Sequence, residues 1–126
     1  MSVAPIERRG QLPLANVNLL FRAFSDLTRL RILHLLRGGE VCVGDLVKIL
    51  KVPQPTASRH LAYLRRAGLV QSRRQGLWAY YSLASAKGPF HKSLLDCLGE
   101  CFREVPELEG DARRYARLRA SGGCCP

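Results

Sequence analysis

The stretch PQPTASRHLAYLRRAGL, residues 53–69, decides the fold of this chain. Ala57, Leu61 and Leu64 recur at the spacing of one helix face, and Gly68 is a residue that typically closes a helix. The stretch therefore predicts a helix whose apolar residues hold it on a core. Its opposite face is polar and basic, which raises the question of what that face contacts.

The preceding stretch, VGDLVKILKV, has the pattern of a short helix that ends before Pro53. Two short helices across a turn of three or four residues form a helix-turn-helix. In such a motif the second helix enters the major groove of DNA. We therefore expect the helix that follows Pro53 to be a reading helix.

Two helices are predicted before this motif, in LANVNLLFRAF and LTRLRILHLL, with Ser25 or Asp26 as the cap of the second. We expect the first to bury one stripe, while two further leucines widen its apolar surface enough to cover a subunit partner. The predicted stripe of the first helix is Leu14, Val17, Phe21 and Phe24. The predicted stripe of the second is Leu27, Leu30, Leu33 or Ile32, and Leu36.

After the motif, LVQSRRQGLWAYYSL alternates with a period of two and contains Gln75-Gly76, where a hairpin can reverse. This pattern predicts a two-stranded antiparallel wing, with Trp78, Tyr80 and Tyr81 in the core. From Pro89 the helical period returns. The fold class predicted is mainly α with a small two-stranded β-wing, that is, a winged helix-turn-helix.

Charge is distributed unevenly along the 126 residues, whose formal net charge is +10. Between Leu46 and Leu95 there are nine Lys or Arg residues and no Asp or Glu, whereas six of the ten acids lie between Asp96 and Asp111. A segment free of carboxylates suits contact with phosphates. Composition thus favours double-stranded DNA as the partner.

No stretch approaches the 18 apolar residues that a membrane span needs, and the first residues do not resemble an export signal. We therefore expect a cytoplasmic protein with no membrane partner. Five cysteines in such a chain are more often reduced thiols than a disulfide frame. Their chemistry is then available for metals or for redox reactions.

The order of these elements, with FRAFSDLTRLRIL, GEVCVGDL, QPTASRHLAYLRRAGLV and RRQGLWAYYSL in it, resembles the ArsR/SmtB family of arsenic- and metal-sensing winged-helix repressors. The resemblance covers about residues 14–104. It implies a homodimer that binds a palindromic operator and releases it when a thiophilic ion binds. We expect residues 1–110 to form the domain for DNA binding and dimerisation, and residues 111–126 to form a C-terminal tail.

The candidate DNA contacts lie on the reading helix and at the wing tip. Arginine pairs with guanine and glutamine with adenine, so Gln54 and Arg59 are candidates for direct readout. The other candidates suit phosphates, thymine methyl groups or the flanking backbone. The full predicted set is Gln54, Thr56, Ser58, Arg59, His60, Tyr63, Arg73, Arg74 and Gln75.

The candidate metal ligands are thiols. Cys97 and Cys101 are four residues apart and share a helix face, and Cys124 and Cys125 follow a Gly-Gly hinge from which they can swing to that helix. The arsenic site best known in the family resembles C-V-C-D-L-C. In CVGDLV only Cys42 remains of it, so we expect Cys42 to be a buried apolar residue.

The family preference for three thiolates makes trivalent arsenic, As(III), the predicted inducer, with trivalent antimony, Sb(III), equivalent, and no organic cofactor is expected. Cadmium, lead or zinc stay open as alternatives, as does a redox or persulfide switch. A thiol enzyme such as an arsenate reductase is disfavoured. Asp96 and Glu100 beside Cys97 would oppose its thiolate, and no group is placed to activate it. A winged helix that binds only proteins is disfavoured by the acid-free basic segment.

Overall fold

The computed structural model describes residues 12–123 and confirms the predicted winged helix-turn-helix. Within these residues, four helices precede the wing in chain order. They are α1 (Leu14–Phe24), α2 (Leu27–Leu36), α3 (Val43–Leu50) and α4 (Gln54–Arg66). Asp26 caps α2 as predicted, because its carboxylate accepts a hydrogen bond from the backbone N–H of Arg29.

The helix-turn-helix consists of α3, a three-residue turn and α4. Lys51 takes the left-handed conformation, with φ 58° and ψ 43°, and so ends α3. The predicted apolar face of α4 is confirmed, since Ala57, Leu61 and Leu64 are each fully buried. Burial of one leucine side chain contributes about 2 to 3 kcal/mol. These contacts hold α4 on the core and leave its other face outward.

Helix α4 ends in a Schellman turn, and the first strand of the wing follows directly after it. The N–H of Gly68 donates to the carbonyl of Arg65, and the N–H of Leu69 donates to that of Leu64. Gly68 has φ +80°, a conformation that side chains disfavour. Leu69 is fully buried, so the turn also anchors the start of the wing.

The wing is the hairpin of β2 (Val70–Gln75) and β3 (Trp78–Leu83), which turns at Gly76 and Leu77. A third strand, β1 (Val41–Cys42), pairs antiparallel with β3, so the sheet order is β1-β3-β2. The sheet therefore has one strand more than the two that were expected. Strand β1 has only two residues, too few to show an alternating pattern in the sequence.

Two helices follow the wing, α5 (Pro89–Glu100) and α6 (Pro106–Ala120). The core contains the buried residues of α1 to α4 together with Leu98 of α5, and Leu108 of α6 is also buried. Among residues 12–123, every helix is too short or too polar to span a lipid bilayer.

Some residues that the periodicity assigned to the core are at the surface. On α1, Leu20 and Ala23 are buried, whereas Leu14 is 82% and Phe21 53% exposed. Leu27 is 81% exposed, because it begins α2 at the surface. α1 and α2 carry more apolar residues than one buried face can take, so spacing alone could not select that face.

Two further expectations differ from the structure. Trp78 lies at the wing tip and is 36% exposed, so it is not a core residue, while Tyr80 and Tyr81 are half-buried. Helix α6 continues past residue 110, where the tail was expected to begin, and Asp111 is only 1% exposed. The reason is that α6 packs against α2 and α3.

Candidate functional site

The outward face of α4 presents most of the predicted DNA contacts of the reading helix. Gln54, Ser58 and Arg59 are exposed, and Thr56 is half-buried in the first turn. No acidic residue lies in that turn. These side chains are arranged as a reading helix requires, with its N-terminal residues open to a base edge or a phosphate.

His60 and Tyr63 lie on the side of α4 that contacts α2. The guanidinium of Arg29 lies 4.0 Å from the centroid of the Tyr63 ring, and its Nη1 lies 3.4 Å from His60 Nδ1. The same guanidinium donates to the backbone carbonyls of Ala23 and Arg22, at 3.1 and 2.9 Å. Arg29 therefore joins α1, α2 and α4.

Asp26 adds a negative charge at this junction. Its Oδ2 atom lies 3.7 Å from His60 Nδ1 and accepts from the N–H of Arg29 at 3.0 Å. Burial alone would raise the pKa of Asp26, but the Arg29 N–H together with the charges of His60 and Arg29 hold it below its usual value. The carboxylate therefore stays ionised beside His60 and Arg29.

Arg73 on the wing is held by other protein groups. Its Nε and Nη2 each donate to a carboxylate oxygen of Glu40 at 2.7 Å, and its Nη1 donates to Gln75 Oε1 at 3.0 Å. Its guanidinium also lies 4.5 Å from the Tyr80 ring centroid. The hydrogen bonds from Arg73 lower the pKa of Glu40. A phosphate would have to compete with Glu40 for this guanidinium.

Arg74 faces the other side of the wing, because successive strand residues alternate between faces. Ser72 shares its face and accepts a hydrogen bond from Arg65 Nη1 of α4 at 3.1 Å. Arg74 is exposed and pairs in register with Ala79. The wing therefore presents Arg74 on the same side as the C-terminal end of α4.

The predicted thiol pair is brought together at the end of α5. Cys97 is half-buried and Cys101 exposed, and the N–H of Cys101 donates to the Cys97 carbonyl at 2.8 Å. A hydrogen bond between the two thiols, with burial, raises the pKa of Cys97. A metal that binds here would have to displace protons, so binding would strengthen as pH rises.

Two ligands do not complete a site for a thiophilic ion. Within residues 12–123, no three Cys, His, Asp or Glu side chains are grouped closely enough to hold a metal. The predicted Cys124 and Cys125 lie outside the described residues. Gly123, which precedes them, lies against Asp45 of α3 rather than against α5. Cys42, at the start of α3, is in a disulfide bond, whereas Cys97 and Cys101 are free.

Comparison with known proteins identifies the scaffold. Residues 26–72 match the bacterial regulatory protein, arsR family. The arsenical resistance operon repressor of Escherichia coli K12 is 39% identical over 104 residues, which cover 82% of this chain and 87% of that protein. The chain belongs to the ArsR family. The arsenic resistance transcriptional regulator ArsR1 of Pseudomonas putida is 47% identical over 101 residues, which cover 79% of this chain and 77% of that protein.

The fold of this ArsR-family chain is similar to that of reduced HlyU from Vibrio cholerae. That structure superposes with a TM-score of 0.63 at 34% identity, over 71% of this chain and 90% of the other. The named relatives are transcriptional regulators and not enzymes. The chain is accordingly a DNA-binding transcriptional regulator, and the matched segment from residue 26 to residue 72 contains all of α4.

The sequence did not reveal the groups that hold several candidate DNA contacts. Glu40 binds Arg73 across 33 residues, and Arg29 contacts His60 across 31. The basic segment lacks acids of its own, yet the fold brings Asp26 and Glu40 to it from outside. Of these contacts, only the role of Asp26 as the N-cap of α2 could be predicted from the neighbouring sequence. The other contacts depend on tertiary packing.

Proposed function

We propose that this ArsR-family protein is a homodimeric repressor that binds double-stranded operator DNA and releases it when As(III) binds cysteine thiolates. The observation that carries the proposal is the adjacent thiol pair of Cys97 and Cys101 in a chain whose relatives include arsenical resistance repressors. We expect the protein to act in the cytoplasm, where thiols are kept reduced.

In this proposal the exposed first turns of α4 read the operator. Arg59 pairs with guanine and Gln54 with adenine, while Thr56, Ser58 and Arg74 bind the DNA backbone. The remaining proposed contacts already interact with other side chains of the protein. From their places on α4 and the wing they would reach phosphates or the adjacent groove. They are His60, Tyr63, Arg73 and Gln75.

The apolar surface left open on α1 supports the homodimer. Leu14 and Phe21 are exposed there, and Phe21 meets Phe90 of α5 edge to face, with ring centroids 5.3 Å apart. The contact joins the exposed apolar residues of α1 to Phe90 of α5. A second copy that covers this surface would place two reading helices on successive major grooves, about 34 Å apart.

As(III) would be bound by three thiolates, two of them from Cys97 and Cys101. Cys124 or Cys125 would supply the third. Helix α6, with 15 residues, is about 22 Å long, and it separates Cys101 from the tail of the same chain. This length favours a tail from the partner subunit as the source of the third thiolate. Sb(III) would bind in the same way.

Release of the operator would follow from movement of the tail. A tail drawn onto α5 of the other subunit would change the geometry of the dimer, so that the two α4 helices no longer fit successive grooves. This coupling is reciprocal, and operator DNA must therefore weaken the affinity for As(III) by the same factor.

The direct test is fluorescence anisotropy of a labelled fragment from upstream of the gene, titrated with the reduced protein and then with arsenite. We expect arsenite to release the DNA from the unaltered protein and from Ser93→Ala, a control on the same helix. Cys97→Ser and Cys101→Ser should bind DNA but resist arsenite. Release by Cd(II), Pb(II) or Zn(II), or by oxidants, without any response to arsenite would contradict As(III) as the inducer.

The redox alternative has two observations in its favour. Cys42 is in a disulfide bond, and the similar HlyU structure was solved in a reduced form. A purely redox-responsive repressor would release DNA on treatment with hydrogen peroxide and would ignore arsenite in both the unaltered protein and Cys97→Ser. The same anisotropy assay therefore distinguishes the two mechanisms.

A further inference from the structure

The side chain of Arg29 on α2 is bound at the C-terminal end of α1. Its Nε and Nη2 atoms donate to the carbonyls of Ala23 and Arg22, at 3.1 and 2.9 Å. Both carbonyls belong to the last turn of α1, where carbonyl groups lack the hydrogen-bond partners of the helix interior. The guanidinium is also positive and lies at the negative end of the α1 dipole. Hydrogen bonds and charge therefore both hold Arg29 to α1.

The same guanidinium contacts the reading helix. It lies 4.0 Å from the centroid of the Tyr63 ring, and its Nη1 lies 3.4 Å from His60 Nδ1. Arg59, the proposed contact to guanine, directly precedes His60 and lies about one turn before Tyr63. Helices α1 and α4 each pack on α2, which carries Arg29. One planar group thus touches the end of α1 and the reading part of α4.

These contacts require the shape of a guanidinium. An arginine presents its N–H donors in a rigid plane whose face can stack on an aromatic ring, whereas a lysine ammonium is a compact point charge. Arg29, His60 and Tyr63 are all half-buried. Stacking of a cation on an aromatic ring is stronger when the pair is partly removed from water. Loss of the planar group should therefore loosen α4 relative to α1 even if the charge is kept.

We propose that Arg29 is a positioning residue for DNA recognition, which holds the reading helix α4 at a fixed place relative to α1 and does not itself contact DNA. Each nitrogen of its guanidinium has a protein atom within hydrogen-bond distance. Its charge is thus directed to α1 and α4 rather than to a phosphate.

The consequence for the operator rests on the proposed function. There α1 contributes to the surface that joins two subunits, so the place of α4 relative to α1 determines the separation of the two reading helices. Base edges are read only when both helices fit their half-sites. Contacts to phosphates do not depend on sequence and supply binding to any DNA. Loss of Arg29 should therefore weaken operator recognition more than binding to unrelated DNA.

Titration of the upstream fragment and of an unrelated duplex with the full chain tests the proposal. Arg29→Lys and Arg29→Ala should each weaken operator binding by about tenfold or more, the effect of a mismatched base pair. Arg29→Lys keeps the charge and should bind the unrelated duplex with unaltered affinity and salt slope. Arg113→Ala, which removes an exposed arginine of α6, should leave both affinities unchanged.

The spacing of the half-sites gives a second readout, which a general loss of stability would not change. Once footprinting has located the half-sites, operators are made with one base pair more or one fewer between them. The unaltered protein should prefer the natural spacing, and Arg29→Lys should lose most of this preference. Urea unfolding of Arg29→Lys shows that the titrations are made on folded protein, and this variant serves even if Arg29→Ala fails to fold.

Three results would overturn the positioning role of Arg29. They are full operator affinity in Arg29→Lys, an equal loss on operator and unrelated DNA with a smaller salt slope, and a loss that the unfolded fraction accounts for. An unaltered protein that is indifferent to spacing would contradict the homodimer of the proposed function. Selective loss of operator binding in Arg29→Lys would still support the positioning role in that case.

Discussion

The carboxylate of Asp111 on α6 is bound by Arg31 of α2, with Nε 2.8 Å from Oδ2 and Nη2 3.0 Å from Oδ1. Arg114 adds a third hydrogen bond from the same helix. Asp111 is 1% exposed, and its hydrogen bonds raise the pKa of Arg31. This ion pair holds α6 on the domain and so helps to fix the position of the C-terminal end of α6.

Replacement of Asp111 should destabilise the protein, because it leaves the Arg31 guanidinium without its partner. We expect Asp111→Ala to lower the free energy of unfolding by about 3 kcal/mol, the low end for a broken buried pair, since Arg31 is partly exposed. Glu107→Ala, an exposed position on the same helix, should change it little. Urea unfolding of the two variants measures the difference, and equal midpoints would contradict this role.

The exposed arginines of α4 and the wing should have different roles in DNA binding. Arg59→Ala should weaken operator binding by about 1 to 3 kcal/mol and relax the preference for one base. Arg74→Ala should weaken operator and unrelated DNA alike and reduce the salt slope by about one. Arg113→Ala on α6 also removes one positive charge, but it should change neither the affinity for DNA nor the salt slope. Titrations of the variants at several salt concentrations test this, and identical profiles would contradict it.

The helix-turn-helix could be predicted from the sequence because its signals are local. The spacing of Ala57, Leu61 and Leu64 specifies one face of α4, and the burial of all three confirms it. The wing likewise follows from alternation and a glycine at its turn. In each case the same residues determine both the local conformation and the burial pattern.

Features that depend on distant contacts could not be predicted. The buried face of α1 is determined by the other helices, so Phe21 was assigned inward although it is exposed. Strand β1 exists only because Val41 and Cys42 meet Tyr81 and Tyr80 of β3. The proximity of Gly123 to Asp45 depends on the packing of α6, which has no signature in the tail itself.

Two buried histidines should make stability depend on pH. Burial, with the nearby charge of Arg37 for His34 and of Lys87 for His91, lowers the pKa of each below its usual value. His91 Nδ1 accepts a hydrogen bond from the N–H of Lys87. Because an accepting nitrogen cannot carry a proton, this hydrogen bond also favours the neutral form of His91.

The unfolded chain therefore binds more protons than the native chain from just above the ordinary histidine pKa of about 6.5 down to the lowered pKa of the native histidines. The free energy of unfolding should fall as pH decreases from about 7.5 through 6.5, until the native histidines are protonated in turn. Urea midpoints at several pH values check this. His91→Gln should flatten the dependence, and an unchanged slope in that variant would contradict the assignment.

The last prediction concerns the apolar surface that the proposed dimer would bury. Phe21→Asp places a charge at the edge-to-face contact with Phe90, and a charge that loses water in an interface is strongly unfavourable. We expect this variant to be monomeric in sedimentation velocity and to lose operator binding, because one reading helix cannot span two half-sites. Leu77→Asp, at the exposed wing tip, is the matched control and should remain dimeric. A Phe21→Asp protein that still sediments as a dimer would show that the subunits associate through another surface.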